Sequence, residues 1–460
     1  MNLTDLEGLV NLLLDRKTTP SLIKARLVEE IKTYKETSLE EAGRLAEAVL
    51  AEVERSRRKP KHKALRRLLE YPQAGVKMGE MGVGSRGEGD LYVHSLIAQL
   101  ATVEGLTPLL GPLSLDDAGA VYREQEKVVV TVAVDGTHSR LSSFPFIAGF
   151  HVTRACLRDV YVKGARPVAL FDDLHLADDG DVGKLFDFVA GVSTVSGLTG
   201  VPLVSGSTLR VGGDMVLGDR MVSCVGAVGL AESPKALTAK RNIRPGDIVL
   251  MTEGAGGGTV ATAAIYSGNF PVLLETLNIN FLEVCRFLLD SGLVSQIHAM
   301  TDVTNGGIRG DANTICREAG VGMVVDGQAF EELVNPAVLR MMRSLSIDPL
   351  GVSLDSLLIF APKDHAEHLK AAVTGLGIKI GEVGRVVDGP LEAQISYGGE
   401  LKELKPKFRE SPYTEVKRVV GEEAQTDKEK LKTQVAEACR RAKDKRDYFT
   451  RMIKERKKRG

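Results

Sequence analysis

The chain contains no tryptophan, and aromatic residues make up only 5% of its 460 positions. A surface that grips nucleic acid by stacking on bases needs such rings, so composition argues against one. Cysteine is also scarce: Cys156, Cys224, Cys285, Cys316 and Cys439 are scattered and form no CxxC pair. They read neither as a disulfide framework nor as a zinc site, and a reducing cytoplasm is the expected setting. No apolar run approaches the ~20 residues that span a bilayer, and the N-terminus lacks the basic region and cleavage site of a signal peptide. There is no HExxH or other close metal-ligand spacing. A soluble, cytoplasmic protein with no membrane partner is therefore expected.

Glycine, by contrast, is abundant, with 48 residues set beside apolar runs, a placement suited to tight turns and close backbone approach to a ligand. Net charge is −1 but unevenly spread. Residues 427–460 hold 14 Lys+Arg against 6 Asp+Glu, which leaves this tail at +8 and the rest at −9. The tail can meet RNA, an acidic protein or a partner helix, or can simply be a solvated face.

The pattern predicts a helical N-terminal extension over 1–70, with Leu6, Leu9, Val10 and Leu13 on one face. Ser38-Leu-Glu-Glu41 opens a further helix as a capping box. After residue 75, glycine loops alternate with β-branched strands at Lys127–Val134, Met221–Val228, Asp247–Met251, Met323–Asp326, Ser356–Ala361 and Gly381–Val387. Helices are expected at Ile147–Lys163, Gly183–Ser196, Asn280–Ser291, Gly307–Ala319 and His365–Gly375. Mixed strands and helices imply α+β or α/β lobes over 75–240 and 243–400, parted near Ile243-Arg-Pro-Gly-Asp247, with a basic helical tail over 405–460.

Six segments carry candidate chemistry, and each has a plainer alternative. Asp116 and Asp117, on the glycine-flanked loop Gly111–Ala120, can hold Mg²⁺ or simply form a turn or cap. Asp135, Gly136 and Thr137 end a strand, as a phosphate–metal corner or an ordinary turn. Asp159 lies on a helix where a solvated carboxylate is usual. Leu203–Thr208, with Gly206 and Thr208, reads as a small-residue loop that brings N–H groups to an anion, or as a tight connection. Glu253–Thr259 is a glycine loop before a helix, without a Walker ending. Asp302, followed by Gly306 and Gly307, reads as a substrate or phosphate contact, or as a helix N-cap. His94, His138, His151, His175 and His298 lie within or beside these segments, where structural roles are the usual ones.

The order of these motifs resembles the aminoimidazole ribonucleotide synthetase-like (AIR synthase-related, selenophosphate synthetase-related) superfamily over about residues 75–400. The match continues through Asp355–Pro362 and Ile380–Val383. The resemblance implies a two-lobed α+β fold whose N-terminal lobe pairs strands across a homodimer, followed by an α/β lobe. It implies ATP and Mg²⁺ as cofactors and phosphoryl transfer to, or ATP-driven activation of, a small-molecule substrate. Carried over by position, Asp116, Asp117, Asp135 and Asp159 are metal ligands. Asp135, Gly136, Thr137, Gly206, Thr208, Gly84 and Arg86 are nucleotide contacts, the last two from the run Gly82–Asp90 that resembles a flexible segment closing over the nucleotide. Asp302, Gly306 and Gly307 are substrate or phosphate contacts, and no residue is assigned as the catalyst.

Three departures stand out. Ser207 replaces a larger polar or acidic residue, Arg158 stands where relatives often carry Asn, and neither the glycine run nor the KKRG end carries cysteine, which argues against selenide or carbamoyl-carrier chemistry. The missing larger side chain at position 207 leaves room for a nucleotide-binding regulatory or scaffold paralogue without turnover.

Overall fold

The computed structural model describes residues 4–85, 87–303, 306–410 and 412–457, with side chains to residue 455. Strand β1 (Thr4–Asp5) leads into helices α1 (Leu6–Asp15), α2 (Pro20–Tyr34) and α3 (Leu39–Ser56). Asp5 caps α1, and Ser38 with Glu41 closes the anticipated capping box on α3. Their apolar stripes, including Leu6, Val10, Ile23, Leu27, Val49 and Val53, form a core of their own. Leu217 joins it from β6 (Val216–Leu217), which pairs with β1, and Lys35 bridges to Asp178 and Asp179.

Helices α4 (Lys63–Leu69), α5 (Met78–Met81) and α6 (Glu88–Ala101) follow. They lead to a five-stranded sheet of β2 (Gly119–Arg123), β3 (Val128–Gly136), β4 (Arg166–Leu176), β5 (Leu203–Arg210) and β7 (Met221–Ala231), in the order β2-β3-β7-β4-β5. One face of β3 (Val129, Thr131, Ala133) lies under α7 (Pro145–Tyr161), and α7 packs on α8 (Gly183–Thr199). Two glycines permit that helix crossing, because a Cβ at Gly149 would overlap the Phe188 carbonyl and one at Gly191 the Phe146 carbonyl. Among the described residues nothing covers the opposite face: Val132, Val134, Phe171, Val222 and Leu230 are exposed, Val134 by 62%.

The second sheet has seven strands in the order β14-β13-β10-β12-β8-β11-β9. They are β8 (Ile248–Thr252), β9 (Ala299–Asp302), β10 (Gly322–Asp326), β11 (Leu357–Ala361), β12 (Ile380–Val387), β13 (Ala393–Tyr397) and β14 (Glu400–Glu403). Its helices are α9 (Gly258–Ser267), α10 (Pro271–Thr276), α11 (Asn280–Asp290), α12 (Gly307–Ala319), α13 (Gly327–Glu332), α14 (Pro336–Ser344) and α15 (Lys363–Thr374). Every residue of β9 and β11 is buried, as expected of strands covered on both faces.

The chain closes with α16 (Glu415–Val420) and α17 (Lys428–Lys457). Helix α17 lies on α6, and several of its cations meet backbone carbonyls at nearby chain ends. Lys445 reaches the carbonyls of Leu68 and Glu70, and Arg446 those of Leu100 and Thr102. These are the unsatisfied C-terminal ends of α4 and α6, where a cation is stabilising. Part of the basic tail thus works as a strap within the molecule.

One sequence expectation fails here. Leu203–Thr208 is not a loop but most of β5, an edge strand paired in parallel with β4. Because nearly all of it is exposed, its side chains never needed the alternating pattern of a strand with a buried face.

Candidate functional site

Two adjoining cavities, of about 640 and 700 Å³, lie between the sheets and share Asp90, His94, Asp135 and Arg158 at their junction. The first runs from apolar residues such as Leu110, Val121 and Val132 to Asp116, Asp117, Asp135 and Asp159. The second is lined by Gly84, Gly136, Thr137, the glycine loop at Gly257–Thr259, and residues of the C-terminal segment. Four aspartates far apart in sequence therefore reach one cleft: two from the loop before β2, one from the end of β3 and one from α7.

The four are not equivalent. Lys163, wholly buried just beyond α7, places Nζ 2.8 Å from Asp116 Oδ1 and 2.8 Å from Asp117 Oδ2. Lys240 Nζ stands 3.3 Å from Asp117 Oδ1, and the Thr301 hydroxyl donates to that oxygen at 3.0 Å. Burial alone would raise the Asp117 carboxyl, but Lys163 and Lys240 hold it well below the usual carboxylate range. Asp159 is the reverse case. Burial, and then Asp135 beside it, push its carboxyl well above that range, while Arg158 only partly offsets them from 3.5 Å.

Arg158 is the hub of the cleft floor. It pairs with Asp302 and Asp355, and Arg154, one helical turn earlier, also pairs with Asp355. Asp302 ends β9 and is fully buried against Arg158, while the N-cap of α12 is Gly306. The plain N-cap alternative for Asp302 is thereby excluded. Burial raises its carboxyl despite Arg158, and its Oδ1 has no hydrogen-bond partner among the described residues. Gly306 lines the first cavity, and Gly307 is buried at the start of α12.

The remaining expected contacts divide. Gly84 reaches the second cavity, from a segment pinned by the C-terminal region: Glu88 N–H donates to the Lys407 carbonyl at 2.7 Å, and Gly87 leaves no room for a Cβ beside Phe408. Arg86 lies outside the described residues. Gly206 and Thr208 sit on the exposed edge strand β5 and line neither cavity of this chain; a Cβ at Gly206 would overlap the Asp172 carboxylate. His138 lines the second cavity, with Nε2 2.6 Å from the Tyr413 hydroxyl and Nδ1 3.1 Å from Thr262 Oγ1. Thr262 gives its proton to the Gly258 carbonyl at 2.7 Å, so Nδ1–H donates to Thr262 and Nε2 accepts from Tyr413. Burial, then Lys417 and Arg140, bring His138 down to about 4, which fits this neutral tautomer.

Sequence reasoning did not pick out Lys163, Lys240, Arg154 or Asp355 as site residues. The available signal was a run of cations at 154, 158 and 163, on and just after a mostly buried helix, close to the carboxylate motifs they neutralise.

With this geometry in hand, comparison with known proteins is decisive for the family. The model for "AIR synthase related protein, N-terminal domain" matches residues 115–231, and that for the corresponding C-terminal domain matches 244–395. The chain belongs to the AIR synthase-related family. It is 49% identical over 457 residues to an uncharacterized protein of Methanocaldococcus jannaschii, covering 99% of each chain. It is 29% identical over 311 residues to a selenide, water dikinase of Geobacter metallireducens, covering 66% of this chain and 80% of that protein. With a carbamoyl dehydratase HypE of Rhodobacter capsulatus the identity is 27% over 252 residues, covering 53% and 72%.

Among solved structures, the HypE–HypF complex matches with a TM-score of 0.54 at 17% identity, over 68% of this chain and 99% of that one. HypE in complex with ATP matches with a TM-score of 0.50 at 21% identity, over 60% and 84%. These likenesses establish the AIR synthase-like fold. The matched region stops short of both helical ends, so α1–α6 and the segment after residue 395 lie outside it. Among the described residues, no helix is long and apolar enough to cross a membrane.

Proposed function

We propose that this AIR synthase-related protein binds ATP with Mg²⁺ in the first cavity and passes the terminal phosphoryl group to a small molecule held in the second. The observation that carries the reading is the convergence of Asp116, Asp117, Asp135 and Asp159 on one cleft. The ATP complex of HypE, a protein of the same fold, supports it. The apolar end of the first cavity suits a base, and the acidic end suits a magnesium-bound triphosphate.

Magnesium fits the residues present, but at one half of the acidic end. Among the described residues, no three carboxylate, histidine or cysteine ligands gather as a ready metal cage. Mg²⁺ commonly takes one or two carboxylates and fills its shell with water and phosphate oxygens. Asp135 and Asp159 match that habit, since Arg158 only partly offsets the repulsion between them. Asp116 and Asp117 are already neutralised by Lys163 and Lys240. Counting Asp302 and Asp355, and the arginines that hold them, the carboxylates of the cleft outnumber its fixed cations, an excess of negative charge that a divalent ion would offset.

When bound, the ion would neutralise phosphate charge and orient the terminal phosphoryl group. The chain's own part is to hold Asp135 and Asp159 at the cleft junction. Arg158, fixed by Asp302 and Asp355, presents positive charge where charge builds on the transferring group. The AIR synthase-like architecture also leaves an apolar sheet face bare, and a second copy of the chain would cover it, bringing its own Gly206 and Thr208 to the interface. A reducing cytoplasm suits the five free cysteines.

The test is calorimetric titration of ATP with Mg²⁺, alongside turnover over a panel of small acceptors. Binding by the wild type and loss of Mg²⁺-dependent binding in Asp135→Asn plus Asp159→Asn is the expected result. Wild-type protein that binds no nucleotide would refute the reading. Binding without turnover on any acceptor would favour the regulatory paralogue, for which the small side chain of Ser207 on β5 is the motivating observation.

A further inference from the structure

The second cavity is electrostatically divided. At its junction with the first lie Asp90 and Asp135, whereas the far wall carries Arg140 and Lys417. Among the described residues, no carboxylate lies within ion-pair distance of either cation. Arg140 lies over the Tyr266 ring, 3.5 Å from its centroid, and Lys417 over the Tyr413 ring at 4.8 Å. Burial, and then Arg140 nearby, lower the Lys417 ammonium, against a smaller opposing pull from Asp90 across the cavity. Two like charges held together and partly shielded from water cost free energy that a bound anion would relieve.

Two further features face the same space. Thr414, only 8% exposed, lines the cavity with an Oγ1 that has no hydrogen-bond partner among the described residues. The N-terminal end of α9, a ten-residue helix, enters at Gly257 and Gly258, where backbone amides and the helix dipole favour negative charge.

Tyr413, Thr414 and Lys417 all come from beyond residue 395, where the family-matched region ends. The roof is fastened, because the Tyr413 hydroxyl donates to His138 and His138 is tied through Thr262 to α9. Phe408, fully buried against Met81, anchors the segment just upstream.

We propose that this C-terminal roof makes the second cavity selective for an anionic acceptor, a small molecule whose carboxylate or phosphate group is held by Arg140, Lys417, the Thr414 hydroxyl and the amide end of α9. The inference rests on the phosphoryl-transfer reading for its word "acceptor", but the anion subsite can be tested without turnover. The full-length protein, saturated with a non-hydrolysable ATP analogue and Mg²⁺, is titrated with inorganic phosphate and, separately, with acetate, and both titrations are repeated without nucleotide. The variants are Arg140→Gln, Lys417→Met and the charge-preserving Lys417→Arg.

The expected result is one phosphate or acetate site per chain, and whichever anion binds more tightly names the class. Each neutral variant should weaken it about tenfold, the effect of losing one hydrogen bond to a charged group, and Lys417→Arg should largely restore it. Affinity for the ATP analogue should stay within about twofold of wild type in all variants. Anion affinity unchanged in both neutral variants would overturn the inference. So would an equal loss of ATP-analogue affinity, which would assign the two cations to the nucleotide. Wild-type protein that binds no ATP analogue, yet binds phosphate in a Lys417-dependent way, would refute the phosphoryl-transfer reading and uphold the anion subsite.

Discussion

The two halves of the acidic cleft contain the same kind of side chain in opposite circumstances. Asp116 and Asp117 are clamped by Lys163 and Lys240, and Asp117 is held firmly ionised. Asp135 and Asp159 face one another with only Arg158 nearby, and Asp159 resists ionising. Carboxylates gathered in a cleft therefore do not by themselves mark a metal position. What marks it is the part of the cleft where the chain leaves negative charge uncompensated. On this account the Lys-clamped half is scaffold, and the unclamped half is where a divalent ion and the phosphates belong.

The comparison breaks most visibly through activity. Asp135→Asn should lower Mg²⁺-dependent ATP turnover by about a hundredfold or more, with thermal stability unchanged or raised because a like-charge contact is relieved. Steady-state kinetics paired with a melting curve checks both parts, and a stability loss without an activity loss would reverse the two halves. Next in size, Lys163→Met should destabilise the fold by about 3–5 kcal/mol, because it strands buried carboxylates. Denaturant midpoints measure this, and adding Asp116→Asn plus Asp117→Asn should recover much of the loss. Lys240→Met should cost less, about 1–2 kcal/mol, since Lys163 still serves both aspartates.

A smaller effect concerns pH. His138 is lowered to about 4 and His151 to about 3, in both cases chiefly by burial. Below the ordinary value of 6.5 the unfolded chain takes up protons that the folded chain refuses, so stability should fall as pH drops from about 6.5 toward 4. Each histidine contributes roughly 1.4 kcal/mol per pH unit once its unfolded form is fully protonated. A His138→Gln variant should flatten the slope of melting temperature against pH over that window, and an unaltered slope would remove His138 from the account.

The unequal legibility of these features has physical causes. The capping box at Ser38 and the strand ending at Asp135 were readable because each depends on a local pattern. The cleft's negative half was readable as an ordered set of aspartates. Its positive half was not, since Lys163 sits next to a helix-ending glycine, where a cation is ordinarily a solvated last-turn residue. Only the fold brings Asp116 and Asp117 to it across 46 positions or more. Asp302 stayed open to an N-cap reading for a similar reason, because the glycines after it suit a helix start, while β9 carries it into the core. β5 was unreadable as a strand because Ser205-Gly-Ser-Thr208 has no core face to display. The roof at Tyr413–Lys417 lies outside any motif, and its meaning comes from the cavity beneath it.

The most direct measurement counts Mn²⁺, used in place of Mg²⁺, bound in the presence of an ATP analogue by paramagnetic resonance. The account predicts one tightly held ion per chain, lost in Asp135→Asn plus Asp159→Asn and retained in Asp116→Asn plus Asp117→Asn. Retention in the first variant and loss in the second would contradict it.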